Sequence, residues 1–271
     1  MASVLVTGAS KGIGMAIALA LGRAGHTVYA TMRNPARSPE LAEIAANEAL
    51  PIHVSEMDVD SDASVKEGVG AIARANGPID VLVNNAGIEG RGAIEELSID
   101  TFRAAMETNF FGTLRCIKAV LPEMRARRSG CIVTITSLAG RVAVSPLSPY
   151  CASKHAQEAL CEVLAQEVKA FNIRVAIVEP GVIDTALPHR IAAAPADSPY
   201  PQTRRIATNF TAALENAAPP SVVGDKVLEI IESGTWRLRH TAGDDAQPFL
   251  DRRASLTDEE WIDLNAGGDE A

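Results

Sequence analysis

The chain has 271 residues, of which 47% are hydrophobic, and carries a formal net charge of −9. This length suffices for one large α/β domain with a substantial core, and no linker or repeat divides the chain. An acidic protein is a poor partner for nucleic acid, and no uncharged apolar run approaches the roughly 18 residues of a membrane span. We therefore expect a single domain that binds neither nucleic acid nor membrane.

The first residues and the cysteines predict a cytoplasmic protein. An apolar run, Val4-Leu5-Val6, follows Met1 almost directly, without the basic and apolar regions of a signal peptide. The four cysteines lack metal-ligand spacing and are typical of reduced thiols, so no metal site is expected. They are Cys116, Cys131, Cys151 and Cys161.

Strand-like runs alternate with helical patterns from the first residues to about residue 180. The runs are short, β-branched and apolar at successive positions, as in strands buried on both faces of a parallel sheet. Repeated β-α units predict a doubly wound parallel sheet, the Rossmann fold in three α-β-α layers, with ligands at the carboxyl ends of the strands. The predicted strands are 4–6, 27–30, 52–54, 81–83, 132–135 and 175–178, and the predicted helices are 13–24, 39–49, 64–75, 99–125 and 149–170.

The first β-α turn contains Gly8, Gly12 and Gly14 in the spacing G-x-x-x-G-x-G. Glycines let a backbone turn tightly and approach a pyrophosphate, whose charge then meets a helix N-terminus. A glycine cluster alone is equally typical of a structural turn. Its place between the first strand and the first helix favours a dinucleotide phosphate site.

The residues after the second strand predict NADP rather than NAD. An NAD-selective site of this kind needs a carboxylate about 20 residues past the glycines, which accepts from the ribose 2′-hydroxyl. No Asp or Glu occurs from Met15 to Pro39, whereas Arg33 follows the strand and Lys11 lies within the glycine turn. A guanidinium can bind a 2′-phosphate bidentately. The alternative is that both residues are ordinary surface cations.

Tyr150 and Lys154 begin the predicted helix 149–170, and their spacing places them on one face of it. A phenol has an ordinary pKa of about 10, and a fixed cation nearby favours its ionised form. The pair could therefore act as a general acid or base near pH 7. Alone, such a pair is weak evidence, since many helices carry one on a solvated face.

Taken in order, these residues resemble the short-chain dehydrogenase/reductase family, NADP type, over roughly residues 3–185. The resemblance implies an NADP(H)-dependent oxidoreductase, a carbonyl reductase or alcohol dehydrogenase acting on a ketone, aldehyde or secondary alcohol. The matching positions are Thr7-Gly8-x-x-x-Gly12-x-Gly14, Asp58, Asn84-Asn85-Ala86-Gly87, Asn109, Ser137, Tyr150-x-x-x-Lys154 and Pro180-Gly181-x-x-x-Thr185.

The resemblance also implies a role for each position. Tyr150 would be the general acid/base, Ser137 would position the carbonyl, and Lys154 would lower the pKa of Tyr150 and hold the nicotinamide ribose. Asn109 would kink its helix and hold a water of the proton relay. The implied cofactor-binding residues are Gly8, Ser10, Lys11, Gly12, Ile13, Gly14, Arg33, Asp58, Val59, Asn84, Ala86, Gly87, Tyr150, Lys154, Pro180, Gly181, Ile183 and Thr185.

Some alternatives stay open at this level. Asp58, implied to bind the adenine amino group, could instead cap the helix that begins near Ser61. A related epimerase or dehydratase, or a non-catalytic NADP-binding regulator, are rival functions, although regulators of that sort commonly lack the tyrosine or lysine. The family pairs helices 99–125 and 149–170 between subunits, so a homodimer or homotetramer is expected. Thr31-Met32-Arg33-Asn34 resembles hydroxysteroid- and retinol-type members, which hints at a bulky, apolar substrate.

Beyond Thr185 the resemblance fades. We assign residues 1–242 to the dehydrogenase domain, with a mobile helical substrate lid at 186–220, a helix at 222–231 and a last strand at 237–241. Residues 243–271 form an acidic C-terminal tail, expected to be a solvated terminus rather than a regulatory element. Within it, Thr257 and Glu260 predict a capping box for a short helix that contains Trp261 and Leu264.

Overall fold

A seven-stranded parallel sheet forms the centre of the molecule in the computed structural model, which describes residues 1–192 and 198–266. The strand order β3-β2-β1-β4-β5-β6-β7 reverses beside β1, as in a doubly wound sheet. The predicted Rossmann fold is thus confirmed. The strands are β1 (Ser3–Thr7), β2 (Thr27–Met32), β3 (Ile52–Glu56), β4 (Val81–Asn84), β5 (Gly130–Ile135), β6 (Ile173–Pro180) and β7 (Arg239–Ala242).

Helices cover both faces of this sheet and give the three predicted layers. None of those described is long and apolar enough to cross a membrane. They are α1 (Gly12–Arg23), α2 (Glu40–Asn47), α3 (Asp62–Asn76), α4 (Ile99–Ala105), α5 (Gly112–Arg127), α6 (Ser148–Val168), α7 (Ala186–Ala192), α8 (Pro201–Leu214), α9 (Ser221–Ser233), α10 (Ala246–Ala254) and α11 (Asp258–Ala266).

The strands are apolar at successive positions because each face of the sheet has its own core. In β1, Val4 and Val6 pack in one cluster with side chains of α1 and α9, while Leu5 packs in the other with side chains of α3, α5 and α6. All three are fully buried. Each such burial contributes about 1.5–3 kcal/mol, so the two cores hold the strand ends, and the site above them, in place.

The predicted helix 99–125 is not continuous. A π-helical segment, Met106–Phe111, separates α4 from α5 and contains Asn109. The asparagine side chain is fully buried, with Oδ1 accepting from the Ile88 N–H at 2.8 Å and Nδ2 donating to the Ile88 carbonyl at 2.9 Å. The change in helical winding therefore coincides with two hydrogen bonds to the loop after β4. A local change of winding of this kind agrees with the implied kink.

The C-terminal segment departs from the expected solvated terminus. The expected capping box forms, with Thr257 N donating to Glu260 Oε2 at 2.8 Å. Helices α10 and α11, however, pack back on the domain: Ala246 is fully buried and the Trp261 indole donates to the Ala143 carbonyl at 3.4 Å. Apolar side chains placed between the acidic residues give these helices a face to bury. The last five residues, 267–271, lie outside the described part of the chain.

Candidate active site

The glycine turn between β1 and α1 is braced by the end of β4. Gly8 has φ +67°, and a Cβ there would lie 2.7 Å from the Cα of Ala86. The Asn85 Nδ2 donates to the carbonyl oxygens of Thr7 at 2.9 Å and Gly8 at 3.1 Å. A Cβ on Gly14 would lie 2.4 Å from that same Nδ2. Glycine is needed at both positions, because a side chain would break the brace or strain the turn.

A polar cavity of about 650 Å³ opens above this turn. It follows the carboxyl ends of β1, β2, β3 and β4, where a doubly wound sheet binds ligands. Most of the predicted cofactor residues border it. They are Gly8, Ser10, Lys11, Gly12, Ile13, Gly14, Arg33, Asp58, Val59, Ala86, Gly87, Tyr150, Lys154 and Thr185.

Arg33 and Lys11 are exposed at this cavity and form no ion pair with any described residue. Asn34 follows Arg33 and accepts from the Arg37 N–H at 3.2 Å, so the chain turns away directly after β2. Two cations without acidic partners, beside a glycine cradle too tight for side chains, suit a phosphorylated dinucleotide. The residues present thus fit the implied cofactor.

Asp58 is not the helix cap that was its alternative role. Ser61 caps α3 by accepting from the Ser64 N–H at 3.2 Å. Asp58 instead accepts from the Asp60 N–H at 3.1 Å and borders the polar cavity. It is free to meet a ligand there.

Asn84 and Asn109 are placed differently from the other predicted residues. Neither borders the polar cavity. Asn84 is buried, and neither amide atom has a hydrogen-bond partner in the described residues. Asn109 lies behind Ile88 and donates to the Ser153 hydroxyl at 2.8 Å. Asn85, which braces the turn, belongs to the matched segment Asn84-Asn85-Ala86-Gly87 but not to the predicted cofactor residues. A sequence does not show which of two neighbouring asparagines faces a turn.

Ser137, Tyr150 and Lys154 come together where β5 ends and α6 begins. Ser137 caps a short 3₁₀ turn by accepting from the Ala139 N–H at 3.1 Å, and its side chain lies close enough to Tyr150 to influence the pKa of the phenol. Lys154 is buried and donates to the Ile135 carbonyl at 2.9 Å, with Nζ 5.7 Å from the centroid of the Tyr150 ring. Strand β5 and helix α6, which run in opposite directions, thus place the three side chains at one edge of the sheet.

Burial sets the acidity of the tyrosine and the lysine. It raises the pKa of Tyr150 to about 12, and the nearby Ser137 side chain only partly opposes this. Burial likewise lowers the pKa of Lys154 from its ordinary 10.5 to about 8, against the opposing carboxylate of Glu158. That Lys154 lowers the pKa of Tyr150 stays a prediction, because the influences on the phenol in the protein without cofactor are burial, Ser137, Cys151 and Glu89.

A second cavity of about 740 Å³ meets the first at Tyr150 and Thr185. Ser137 borders it, as do the predicted cofactor residues Pro180, Gly181 and Ile183. Its other walls are mainly apolar and come from the loop before α6, from α7 and α8, and from α10 and α11. The apolar wall residues include Val144, Leu147, Leu187, Ile191, Ile206, Phe210, Pro248, Phe249, Trp261 and Leu264.

Helices α7 and α8 fall within the predicted lid at 186–220; α7 borders both cavities and α8 borders the apolar cavity. Arg190 of α7 donates to Glu89 Oε1 at 2.8 Å, which ties this helix to the loop after β4. Ser198 donates to Glu96 Oε2 at 3.0 Å and adds a second tie to the same loop. Residues 193–197 of the predicted lid lie outside the described residues. Sequence reasoning gave no signal for these pairs, whose partners are about 100 positions apart.

Fold and site together define a dinucleotide-binding α/β protein with a serine, a tyrosine and a lysine at the edge of its sheet. Residues 2–196 match the family model described as short chain dehydrogenase. The chain belongs to the short-chain dehydrogenase/reductase family of oxidoreductases, whose members use a nicotinamide cofactor. The family resemblance noted in the sequence is thereby confirmed.

Several individual proteins are similar to this chain. The oxidoreductase YusZ of Bacillus subtilis is 36% identical over 234 residues, which are 83% of each chain. Retinol dehydrogenase 8 of Bos taurus is 40% identical over 206 residues, 74% of this chain but only 65% of its own length. A short-chain dehydrogenase from Streptomyces avermitilis matches with a TM-score of 0.81 and 32% identity over 99% of both chains. A variant of actinorhodin polyketide ketoreductase, solved with NADPH, gives 0.80 and 30% over 89% of this chain and 95% of its own.

Proposed function

We propose that this protein is an NADP(H)-dependent carbonyl reductase or alcohol dehydrogenase that acts on a bulky, apolar ketone, aldehyde or secondary alcohol. The observation that carries the proposal is the meeting of a polar and an apolar cavity at Tyr150. When bound, the cofactor donates or accepts the hydride. The reacting carbon would lie at this junction, with the apolar part of the substrate in the larger cavity.

The residues at the junction have complementary roles in this proposal. The Ser137 and Tyr150 hydroxyls hydrogen-bond the carbonyl oxygen, and Tyr150 gives up its proton as the oxygen becomes an alcohol. A phenol whose pKa is about 12 holds that proton at neutral pH, as a general acid for reduction must. Lys154 holds the nicotinamide ribose, and Asn109 fixes the helix segment and loop beside them.

The choice of NADP(H) is supported by the charges around the polar cavity. The end of β2 presents Arg33 and no carboxylate, and Lys11 of the glycine turn borders the same cavity. A 2′-phosphate that contacted both side chains would gain two charge-assisted contacts. The ketoreductase with 30% identity was solved with NADPH, which agrees with this choice.

A substrate panel tests the proposal directly. Ketones, aldehydes, sugars and steroids would be offered with NADPH and with NADH, and cofactor oxidation followed by absorbance. We expect the highest kcat/KM for bulky apolar ketones with NADPH. Turnover confined to small sugars would contradict the apolar cavity as the substrate site, and a preference for NADH would contradict the cofactor assignment.

We also propose a homodimer or homotetramer in a cytoplasmic setting. Phe111, at the end of the π-helical segment, and Val163 of α6 are 42% and 53% exposed, so apolar surface remains on the two elements expected to pair. The four cysteines are free, which supports a reducing compartment. Sedimentation should give at least twice the chain mass of 28.5 kDa at micromolar concentration. A monomer under those conditions would refute the assembly.

A further inference from the structure

The carboxylate of Asp245 lies beneath the loop that follows β6. Its Oδ2 accepts from the Val182 N–H at 2.8 Å. The loop is tied a second time at the same place, where the Gly181 N–H donates to the Ala242 carbonyl at 2.9 Å. Asp245 also borders the apolar cavity. A residue just after the last strand therefore holds the loop that carries Thr185.

Two glycines make room for this carboxylate. A Cβ on Gly181 would lie only 2.1 Å from Asp245 Oδ1, and a Cβ on Gly243 would lie 2.8 Å from the same oxygen. Gly243 also has φ +100°, which L side chains rarely adopt. A side chain at either glycine would push the carboxylate away. Asp245 is solvent-exposed, but Gly181, Gly243 and the Val182 N–H together fix the position of its carboxylate.

The charge seated there has no cationic partner. No lysine, arginine or histidine of the described residues forms an ion pair with Asp245. The guanidinium groups of Arg205 and Arg252 border the same cavity, but neither hydrogen-bonds this carboxylate in the described part of the structure. The negative charge beside Gly181 is therefore available to act on whatever lies against the loop.

We propose that Asp245 is a positioning residue for the loop from Pro180 to Thr185, and that its charge favours the oxidised over the reduced cofactor at this site. The inference rests on the proposed function, because Pro180, Gly181, Ile183 and Thr185 of this loop are among the implied cofactor-binding residues. The oxidised nicotinamide ring is positively charged and the reduced ring is neutral. A fixed carboxylate held against the loop stabilises the charged ring more than the neutral one.

The charge and the hydrogen bond can be tested separately. Asp245→Asn keeps an oxygen that can accept from Val182 but removes the charge, whereas Asp245→Ala removes both. Dissociation constants for NADP⁺ and for NADPH would be measured by titration calorimetry, without turnover. We expect Asp245→Asn to weaken NADP⁺ about three- to tenfold relative to NADPH. Asp245→Ala should weaken both forms and lower kcat, because the loop loses its tie.

Asp251→Asn provides the matched control six positions further along the chain, since Asp251 is exposed, borders neither cavity and accepts through its carboxylate from the Gln247 amide. It should leave both dissociation constants unchanged. The charge effect is wrong if Asp245→Asn and the wild type show the same NADP⁺-to-NADPH ratio. The positioning role is wrong if Asp245→Ala, folded as judged by its thermal transition, binds both forms like the wild type. Failure of the wild type to bind either cofactor would instead overturn the proposed function itself.

Discussion

The two cavities that meet at Tyr150 are built in opposite ways. The polar cavity is made of strand ends, glycines and backbone groups at the edge of the sheet, and cations stand at its rim. The apolar cavity is made of side chains on helices that pack over that edge from the lid and from the C-terminal segment. The polar cavity suits a ligand of fixed shape and high charge. The apolar cavity suits ligands that bind by burying apolar surface. Variants that act on one cavity should therefore leave the other intact.

The largest effect is expected at the junction itself. Tyr150→Phe keeps the ring that borders both cavities and removes the proton that the carbonyl oxygen must receive. Turnover should fall by roughly 10²–10⁴-fold, the usual contribution of acid–base catalysis. Cofactor affinity, measured by calorimetry, should stay within about twofold of the wild-type value, because no charge is lost. A variant that kept more than about a tenth of wild-type turnover would show that another group supplies the proton.

The next largest effect is expected from a substitution that acts on the polar cavity alone. Arg33→Asp replaces attraction for a 2′-phosphate with repulsion and supplies the carboxylate that an NAD site uses. The ratio of kcat/KM for NADPH to that for NADH should fall about ten- to a hundredfold, since one charge-assisted contact contributes roughly 1.5–3 kcal/mol.

Arg37→Asp is the matched control for that ratio. Arg37 is exposed only four positions further on, but it does not border the polar cavity, and the substitution changes the net charge by the same amount. Only the screened, long-range electrostatic effect of the changed charge should remain. The cofactor ratio should therefore shift by less than about twofold. Equal shifts in both variants would mean that overall charge, not a contact at Arg33, sets the preference.

The difference between the two cavities also explains how much of each could be predicted from the sequence. The polar cavity depends on short local patterns, so most of its residues could be named from the glycine turn, Asp58 and the strand ends. Within the matched segment Asn84-Asn85-Ala86-Gly87, the sequence does not show that Asn85 braces the turn, because that depends on where β4 ends. The apolar cavity depends on contacts between distant segments: Asp245 is 63 positions from Val182, and nothing local marks the pair. Likewise, composition alone made the C-terminal segment resemble a solvated terminus.

The buried lysine at the junction should make stability depend on pH. The folded pKa of Lys154 is about 8 and its ordinary value is 10.5, so between these values the unfolded chain binds more protons. The contribution of Lys154 to the free energy of unfolding of the cofactor-free protein should therefore rise with pH in this window, whereas the buried cysteines, whose pKa values burial raises, act in the opposite sense in both proteins compared below. Between pH 7.5 and 9.5 the gain from this group is about 1–2 kcal/mol.

Lys154→Met isolates that contribution, because the methionine fills similar space and does not titrate. Urea unfolding of both proteins at the two pH values gives the difference. The tyrosine acts in the opposite sense only at higher pH, since its folded pKa of about 12 lies above its ordinary 10.0. The same pH dependence in the wild type and in Lys154→Met would mean that the lysine is not desolvated as the structure indicates.

The smallest expected effect sharpens the apolar side of the comparison. Phe210 of α8 is half-buried and borders the larger cavity, so Phe210→Ala removes part of the surface offered to a bulky substrate. Losing about half the burial of one such ring is worth about 1 kcal/mol, or roughly a fivefold rise in KM for an apolar ketone. The NADPH dissociation constant should not change.

Phe171→Ala is the control, because Phe171 is also half-buried but packs on the core below α6, bordering neither cavity. It should lower stability and leave KM alone. If both variants raised KM equally, loosened packing and not a lost substrate contact would account for the change.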